Sequence, residues 1–297
     1  MTGDRPSRED DAIGLCLIGA ISPEVALARL LLGGATAAGI AGLVAARRPD
    51  PPTPRWTRLA GLLDGRGEAL DRLAAEIAAV GSDHTRFAET GVAGVAAFFD
   101  RQAARAPEAG VALYSLGDAS ILAAATAEIV AWLDGGGLLR RRAGGSPDVL
   151  DLGCGIGRLA SALAPRCRSF LGLDVSAGMI AEARRRCLGL GNARFEVTPG
   201  HGLDLLPERA FDLVLAVDSF PYIVQAGEDV AERHVGGAAR VLRLGGALAI
   251  LNLSYRQDPV ADREDAEGWA ARHGFTLATA GERPFALWDG VAFVLRR

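Results

Sequence analysis

Residues 148–160 of this 297-residue chain read Asp-Val-Leu-Asp-Leu-Gly-Cys-Gly-Ile-Gly-Arg-Leu-Ala. An apolar run containing Asp151 leads into glycines at every second position, 153, 155 and 157, and an apolar helical pattern begins at Leu159. This order predicts a strand, a tight loop and a helix. Because glycine lets the backbone turn sharply and approach a ligand closely, we expect this glycine loop to hold a ligand.

After the glycine loop, short apolar runs alternate with helical patterns as far as residue 295. The predicted strands are residues 149–152, 169–173, 193–197, 211–217, 247–253, 275–279 and 291–295. Strands that alternate with helices predict an α/β fold with a doubly wound, mostly parallel sheet of seven strands. Since no helix separates the last two runs, one strand is expected to be antiparallel.

The N-terminal part of the chain shows helical periodicity and no strand pattern. Ser22-Pro23 is a helix start, and prolines at 49, 51, 52 and 54 form a stiff connector before further amphipathic helices. We therefore predict two domains, a small all-helical unit over residues 1–110 and a ligand-binding domain over residues 111–297. A role of the helical unit as a lid, in substrate binding or in homodimer formation remains open.

Composition narrows the class of protein. The net charge is -4 and lysine is absent, so the chain has no general electrostatic attraction for nucleic acid. The apolar residues 30–46 contain several glycines and predict buried helices, not a membrane span. The four cysteines and four histidines are scattered, which predicts neither a metal site nor a disulfide framework. With no export signal at the N-terminus, a cytoplasmic protein is expected.

A second acid narrows the ligand. The predicted strand 169–173 is followed by Asp174, at the position where an acid in such sheets accepts hydrogen bonds from ribose hydroxyls. A phosphate-binding P-loop needs a lysine, which the chain lacks. A dinucleotide fingerprint, G-x-G-x-x-G, needs glycine where Arg158 stands, so a nicotinamide-dependent oxidoreductase is disfavoured.

The pattern of residues 149–157 resembles the first motif of class I S-adenosylmethionine-dependent methyltransferases, a Rossmann-like transferase family. The resemblance continues through Gly-Leu-Asp-Val-Ser at 172–176, Phe-Asp-Leu-Val at 211–214 and Ala-Ala-Arg-Val-Leu-Arg-Leu-Gly-Gly at 238–246, and covers about residues 117–297. It implies S-adenosyl-L-methionine as the cofactor.

The same resemblance implies which residues bind the cofactor. Asp151 and the loop would meet the methionine part, Asp174 the ribose hydroxyls, and Val175 and Met179 the adenine. His201 stands near the place of an acid that receives the adenine amino group in the family, so a backbone carbonyl is the alternative partner there. The implied cofactor-binding residues are Asp151, Gly153, Cys154, Gly155, Gly157, Asp174, Val175, Met179, Gly200, His201, Gly202 and Asp218.

Methyl transfer from a sulfonium needs few catalytic groups, because the reactive charge belongs to the cofactor. Asp218 and Tyr222 are the candidate catalytic residues beside the methyl group. Tyr114, His234 and Tyr255 are more distant candidates.

The segment Asp218-Ser-Phe-Pro-Tyr222 also invites comparison with the Asn/Asp-Pro-Pro-Tyr/Phe motif of enzymes that methylate amino groups of bases or glutamine. It departs at two central positions, which disfavours a nucleic-acid base as acceptor. A small molecule accepting the methyl group on nitrogen or oxygen is the leading prediction. A regulatory or partner-docking protein that binds S-adenosylmethionine without turnover is the alternative. Residues 114–118 are a candidate lid.

Overall fold

The computed structural model describes residues 11–80, 87–140 and 144–297. The first range folds into helices α1 (Ala12–Leu17), α2 (Pro23–Leu32), α3 (Ala37–Ala46), α4 (Pro54–Leu63) and α5 (Gly67–Val80). The hydroxyls of Ser22, Thr36 and Thr53 start three of these helices, since each accepts a hydrogen bond from the backbone N–H three residues later. The predicted helix start at Ser22-Pro23 is confirmed.

The rest of the chain contributes eight further helices among the described residues. They are α6 (Phe87–Arg105), α7 (Pro107–Val111), α8 (Ala119–Gly135), α9 (Arg158–Leu163), α10 (Ala177–Arg186), α11 (Phe220–Gln225), α12 (Glu228–Val241) and α13 (Pro259–His273). Helix α6 is kinked at Gly91, whose φ of 58° and ψ of -153° are not helical. Glycine is suited to this position because the left-handed region is costly for residues with a Cβ.

Seven strands form one sheet in the order β3-β2-β1-β4-β5-β7-β6. The strands are β1 (Asp148–Leu152), β2 (Ser169–Asp174), β3 (Ala193–Val197), β4 (Phe211–Val217), β5 (Leu242–Leu251), β6 (Thr276–Glu282) and β7 (Ala292–Arg296). Strand β7 pairs antiparallel with β5 and β6, whereas the pairs among β1 to β5 are parallel. The predicted fold class and its single antiparallel strand are confirmed.

Strand boundaries differ from the prediction where the pairing is irregular. Strand β5 begins at Leu242, five residues before the predicted start at 247, and Phe211 pairs with Leu242 before a register shift. The prediction began the strand after Gly245 and Gly246, whereas a bulge accommodates both glycines inside the strand. Strand β6 extends to Glu282 through two further register shifts against β7.

Strand β1 lies in the core of the sheet. All five residues of β1 are buried, as expected for a parallel strand that is covered on both faces. On one face, Phe220 and Trp269 from helices α11 and α13 meet at a ring distance of 5.6 Å. This packing fixes the carboxyl ends of β1, β2 and β4, where the candidate site lies.

The contacts within the chain divide it into two compact units. One unit comprises described residues from 11–80, 108–125 and 285–289, and the other contains the sheet with residues 87–107, 126–284 and 290–297. Helix α6 belongs to the unit with the sheet because it packs on α10 and α11. These units group residues by their contacts and not by their order in the sequence, so they do not end at residue 110. The division into domains 1–110 and 111–297 stays a prediction.

None of the helices in the described ranges has the length and apolar character needed to cross a lipid bilayer.

Candidate functional site

The glycine loop connects β1 to α9 at the carboxyl edge of the sheet. Gly153 and Gly157 have φ values of 70° and 79°. A Cβ on Gly153 would lie 2.4 Å from Cβ of Ser219, and a Cβ on Gly157 would lie 2.9 Å from Sγ of Cys187. The loop therefore needs glycine both for its backbone conformation and for its close approach to neighbouring elements. The N–H groups of Gly153 and Cys154 donate to the carbonyl of Leu173, which ties the loop to β2.

Asp151 on β1 supplies a buried carboxyl beside the loop. The residue is 2% exposed, and its Oδ2 accepts no hydrogen bond from the described residues. Burial raises the pKa of Asp151 to about 8, which Arg158 opposes and Asp174 reinforces. A buried oxygen without a partner is costly, so this position suits a ligand that brings a cation or a hydrogen-bond donor.

Asp174 supplies a second carboxyl, at the end of β2. Its Oδ2 accepts from the N–H of Gly155 at 2.9 Å and its Oδ1 from the N–H of Ser176 at 2.9 Å. Burial raises the pKa of Asp174 to about 6, although these backbone hydrogen bonds lower it. Because each carboxylate oxygen has two acceptor positions, Asp174 can take further hydroxyl donors while it holds the loop.

The loop after β3 lies beside Val175. A Cβ on Gly200 would lie 2.5 Å from Cγ1 of Val175 and 2.6 Å from Cγ1 of Val92, a residue of α6. His201 is exposed, and its backbone carbonyl accepts a hydrogen bond from Arg233. Gly202 follows with a φ of 148°. Of the residues predicted on the adenine side, Val175 and Gly200 therefore lie together.

Met179, also predicted on the adenine side, is fully buried in the first turn of α10. Cys154 is buried as well, and burial raises the pKa of its thiol. Both side chains are therefore part of the buried core.

Asp218 lies at the end of β4, next to the loop through its neighbour Ser219. The Ser219 hydroxyl donates to the Leu152 carbonyl at 2.5 Å. Asp218 has a φ of 57°, and its Oδ1 accepts from the Asn252 amide at 2.9 Å and from the Tyr255 hydroxyl at 2.7 Å. The ends of β4 and β5 thus present one hydrogen-bonded group to the site.

The two tyrosines of this group contact each other. The rings of Tyr222 and Tyr255 are 5.6 Å apart. Burial, together with the negative charge of Asp218, raises the pKa of both hydroxyls. Although 39% of the Tyr255 surface is exposed, its hydroxyl end lies between Asp218 and Tyr222. Both tyrosines are therefore neutral hydrogen-bonding groups near pH 7.

Helix α6 extends this group into an aromatic cluster, which consists of Phe87, Phe98, Phe99, Tyr222 and Tyr255. Tyr222 has its ring 4.9 Å from Phe99 and 5.9 Å from Phe87, in edge-to-face arrangements. Such contacts are favourable and orient the rings. One wall of the candidate acceptor site is thus aromatic.

The three more distant catalytic candidates lie in different places in the structure. Tyr255, predicted as more remote, contacts Asp218 directly. His234 is buried in α12, where its Nδ1 is 2.8 Å from the Val230 carbonyl, and burial lowers its pKa. Tyr114 lies in the other compact unit and stacks on Trp288 at 5.8 Å.

Two polar residues of this region were absent from the sequence prediction. Asn252 ends β5 as Asp218 ends β4, so a polar residue after an apolar strand is a signal that could have identified it. Asp100 on α6 bonds to Ser176 and Gly178, but on the sequence it is an ordinary helix-surface acid. No sequence signal pointed to Asp100.

Comparison with known proteins agrees with this geometry. Residues 149–246 match the family described as methyltransferase domain. This segment is a methyltransferase domain. The match includes the glycine loop, both buried carboxyls and Asp218, and the sheet order carries the class I fold. The predicted family is confirmed for this segment, and the predicted cofactor, S-adenosyl-L-methionine, agrees with it.

Two curated relatives illustrate the range of similar proteins. The chain is 32% identical to a trans-aconitate 2-methyltransferase of Methylobacterium nodulans over 46% of this chain and 46% of the relative. It is 37% identical to a ribosomal RNA small subunit methyltransferase C of Citrobacter koseri over 35% of this chain and 30% of the relative. The chain spans less than half the length of the curated relatives that it matches.

Among solved structures, the chain is similar to phosphoethanolamine N-methyltransferase 1 of Haemonchus contortus, which was solved with phosphoethanolamine and S-adenosylhomocysteine. The TM-score is 0.52 at 18% identity, over 70% of this chain and 49% of that chain. At this identity the similarity concerns the fold alone.

Proposed function

We propose that this chain transfers the methyl group of S-adenosyl-L-methionine to a small-molecule acceptor, on nitrogen or oxygen, and does not act on nucleic acid. The observation that carries the proposal is the pair of buried carboxyls, Asp151 and Asp174, that flank the glycine loop of a methyltransferase domain. Their surroundings differ, because one has an oxygen without a partner and the other is held by backbone N–H groups.

The residues present fit the cofactor. The unpartnered Oδ2 of Asp151 would receive the ammonium group of the methionine part, which removes an unsatisfied buried oxygen. Asp174 would accept the ribose hydroxyls with its remaining acceptor positions. Val175 and the backbone at Gly200–Gly202 would contact the adenine. When bound, the cofactor supplies an electrophilic methyl group.

The chain's own residues would mainly align the acceptor. Proximity and orientation supply most of what an in-line displacement needs. Asp218 would hold the acceptor and take its proton, with Asn252 and Tyr255 fixing the carboxylate. Because the pKa of Tyr222 is raised, Tyr222 would act as a neutral hydrogen-bonding wall and not as a base.

Several observations support a small molecule over nucleic acid. The chain has a net charge of -4 and no lysine, while a nucleic-acid site needs many cations along the phosphate backbone. The aromatic cluster supplies an apolar wall of the kind that binds small molecules.

We also propose a cytoplasmic, reducing location. The four cysteines are free and buried, which is consistent with it.

Titration calorimetry tests the cofactor part of the proposal. Wild-type protein should bind S-adenosylmethionine saturably, and Asp174→Ala should weaken binding about tenfold or more by removing a charged acceptor. Glu267→Ala, an exposed acid on α13, is the matched control and should bind as wild type. Absence of binding by folded wild type, or preference for a nicotinamide cofactor in the same assay, would refute the proposal. Binding without any turnover would favour the regulatory alternative.

A further inference from the structure

Helix α6 contacts the cofactor side of the site although it lies outside the matched segment 149–246. Asp100 on this helix accepts two hydrogen bonds with Oδ1, from the Ser176 hydroxyl at 2.6 Å and from the Gly178 N–H at 2.9 Å. The first donor is the N-cap residue of α10 and the second lies in the first turn of that helix, directly after β2. The carboxylate therefore fixes that turn from outside the sheet.

Ser176 also contacts the proposed acceptor of the ribose hydroxyls. The Ser176 hydroxyl accepts from the Met179 N–H at 3.0 Å and so caps α10, while the Ser176 N–H donates to Oδ1 of Asp174 at 2.9 Å. Oδ2 of Asp174 in turn accepts from the Gly155 N–H at 2.9 Å. A continuous series of hydrogen bonds thus runs from Asp100 through Ser176 and Asp174 to the glycine loop.

Close packing supports this connection. A Cβ on Gly178 would lie 3.0 Å from Cβ of Ala103, so α6 and the first turn of α10 are in direct contact there. Near the other end of α6, Val92 approaches Gly200 and Val175. Phe99, the neighbour of Asp100, packs on Tyr222 at 4.9 Å. One helix therefore contacts Ser176, the neighbour of the proposed ribose acceptor by hydrogen bond, as well as residues proposed for the adenine and the acceptor.

We propose that Asp100 is a positioning residue for cofactor binding: by holding Ser176, it sets the orientation in which Asp174 receives the ribose hydroxyls. The inference rests on the proposed function, since it takes Asp174 as the ribose acceptor. Asp100 does not touch the cofactor itself. Its effect depends on accepting two hydrogen bonds at one oxygen, a geometry that an asparagine amide oxygen can reproduce.

This geometry gives a test that separates positioning from general stability. Asp100→Ala removes both hydrogen bonds and should weaken the binding of S-adenosylhomocysteine about tenfold. Asp100→Asn keeps an acceptor oxygen and should stay within about threefold of wild type. Arg101→Ala, an exposed neighbour on α6, is the matched control and should leave the dissociation constant unchanged.

A cofactor analogue supplies the second readout. The 2′-deoxy analogue of S-adenosylhomocysteine lacks one ribose hydroxyl, so Asp100→Ala should weaken its binding less than that of the parent compound. Equal losses for both compounds, or a loss in Asp100→Asn as large as in Asp100→Ala, would overturn the inference. Thermal unfolding confirms that each variant is folded. If wild type itself does not bind S-adenosylhomocysteine, the proposed function is wrong. If wild type binds but Asp100→Ala and Asp100→Asn lose the same affinity, only the role of Asp100 is wrong.

Discussion

Asp151→Asn tests whether the buried carboxyl on β1 pairs with a cation of the cofactor. The substitution preserves the shape of the side chain and removes its charge. Asp151 is 2% exposed and its Oδ2 has no hydrogen-bond partner among the described residues, so an incoming ammonium would add a hydrogen-bonded counter-charge to the charge of Arg158. Wild type should gain affinity from this pair only while Asp151 is ionised.

The raised pKa sets the pH range of the effect. With a pKa of about 8, about 1% of Asp151 is ionised at pH 6 and about half at pH 8. Because the pKa of Asp151 lies above the ordinary value for an aspartate, the carboxyl ionises only as pH rises through 8. The gain in affinity of wild type over Asp151→Asn increases over the same range. The ratio of the dissociation constants, variant over wild type, should therefore increase about fiftyfold between pH 6 and pH 8. Ionisation of the cofactor's own amino group affects both proteins and cancels in the ratio.

Titration calorimetry with S-adenosylhomocysteine at pH 6, 7 and 8 measures this ratio. S-Adenosylhomocysteine carries the same amino-acid part as the methyl donor and is not consumed. A ratio that does not change with pH would refute the proposed pairing of Asp151 with the ammonium group. Near-UV circular dichroism at each pH establishes that both proteins are folded.

Three further results are expected. Gly153→Ala should destabilise the fold by about 1–3 kcal/mol in chemical denaturation, because the φ of this residue is 70° and a Cβ would meet a neighbouring side chain. Gly189→Ala is the control: a Cβ there meets open space, and the substitution should be near neutral. Tyr255→Phe should slow methyl transfer about tenfold with little change in cofactor affinity, because Asp218 loses a hydroxyl donor. Folding raises the pKa of Asp151 to about 8, so wild type loses stability as pH rises from about 4 to 8. Asp151→Asn does not have this titration. The melting temperature of cofactor-free Asp151→Asn minus that of wild type at the same pH should therefore increase over this range.

Much of the fold could be predicted because its signals are local. The run of apolar residues around Val149 and the alternating glycines determine a buried strand and a tight loop without help from distant residues. Asp151 and Asp174 were found because acids at the ends of apolar strands meet at one edge of a parallel sheet. The start of β5 at Leu242 was missed because a bulge, which depends on pairing with β4, keeps its glycines in the strand.

Contacts between distant parts of the chain explain the other differences. Helix α6 joins the unit with the sheet through its packing on α10 and α11, which periodicity within α6 does not encode. Asp100 therefore looked like a surface acid, and Tyr255 looked remote from Asp218, to which it donates a hydrogen bond at 2.7 Å. Such pairings follow from tertiary structure and not from spacing along the chain.

Transfer of a labelled methyl group tests the central proposal most directly. The protein is incubated with methyl-labelled S-adenosylmethionine and a metabolite extract, and, in a parallel reaction, with ribosomal RNA; the products are separated and identified by mass. The proposed function predicts label on a nitrogen or oxygen of a small molecule with wild type, strongly reduced with Asp174→Ala. Label only in RNA, or no transfer at all by folded protein that binds the cofactor, would contradict it.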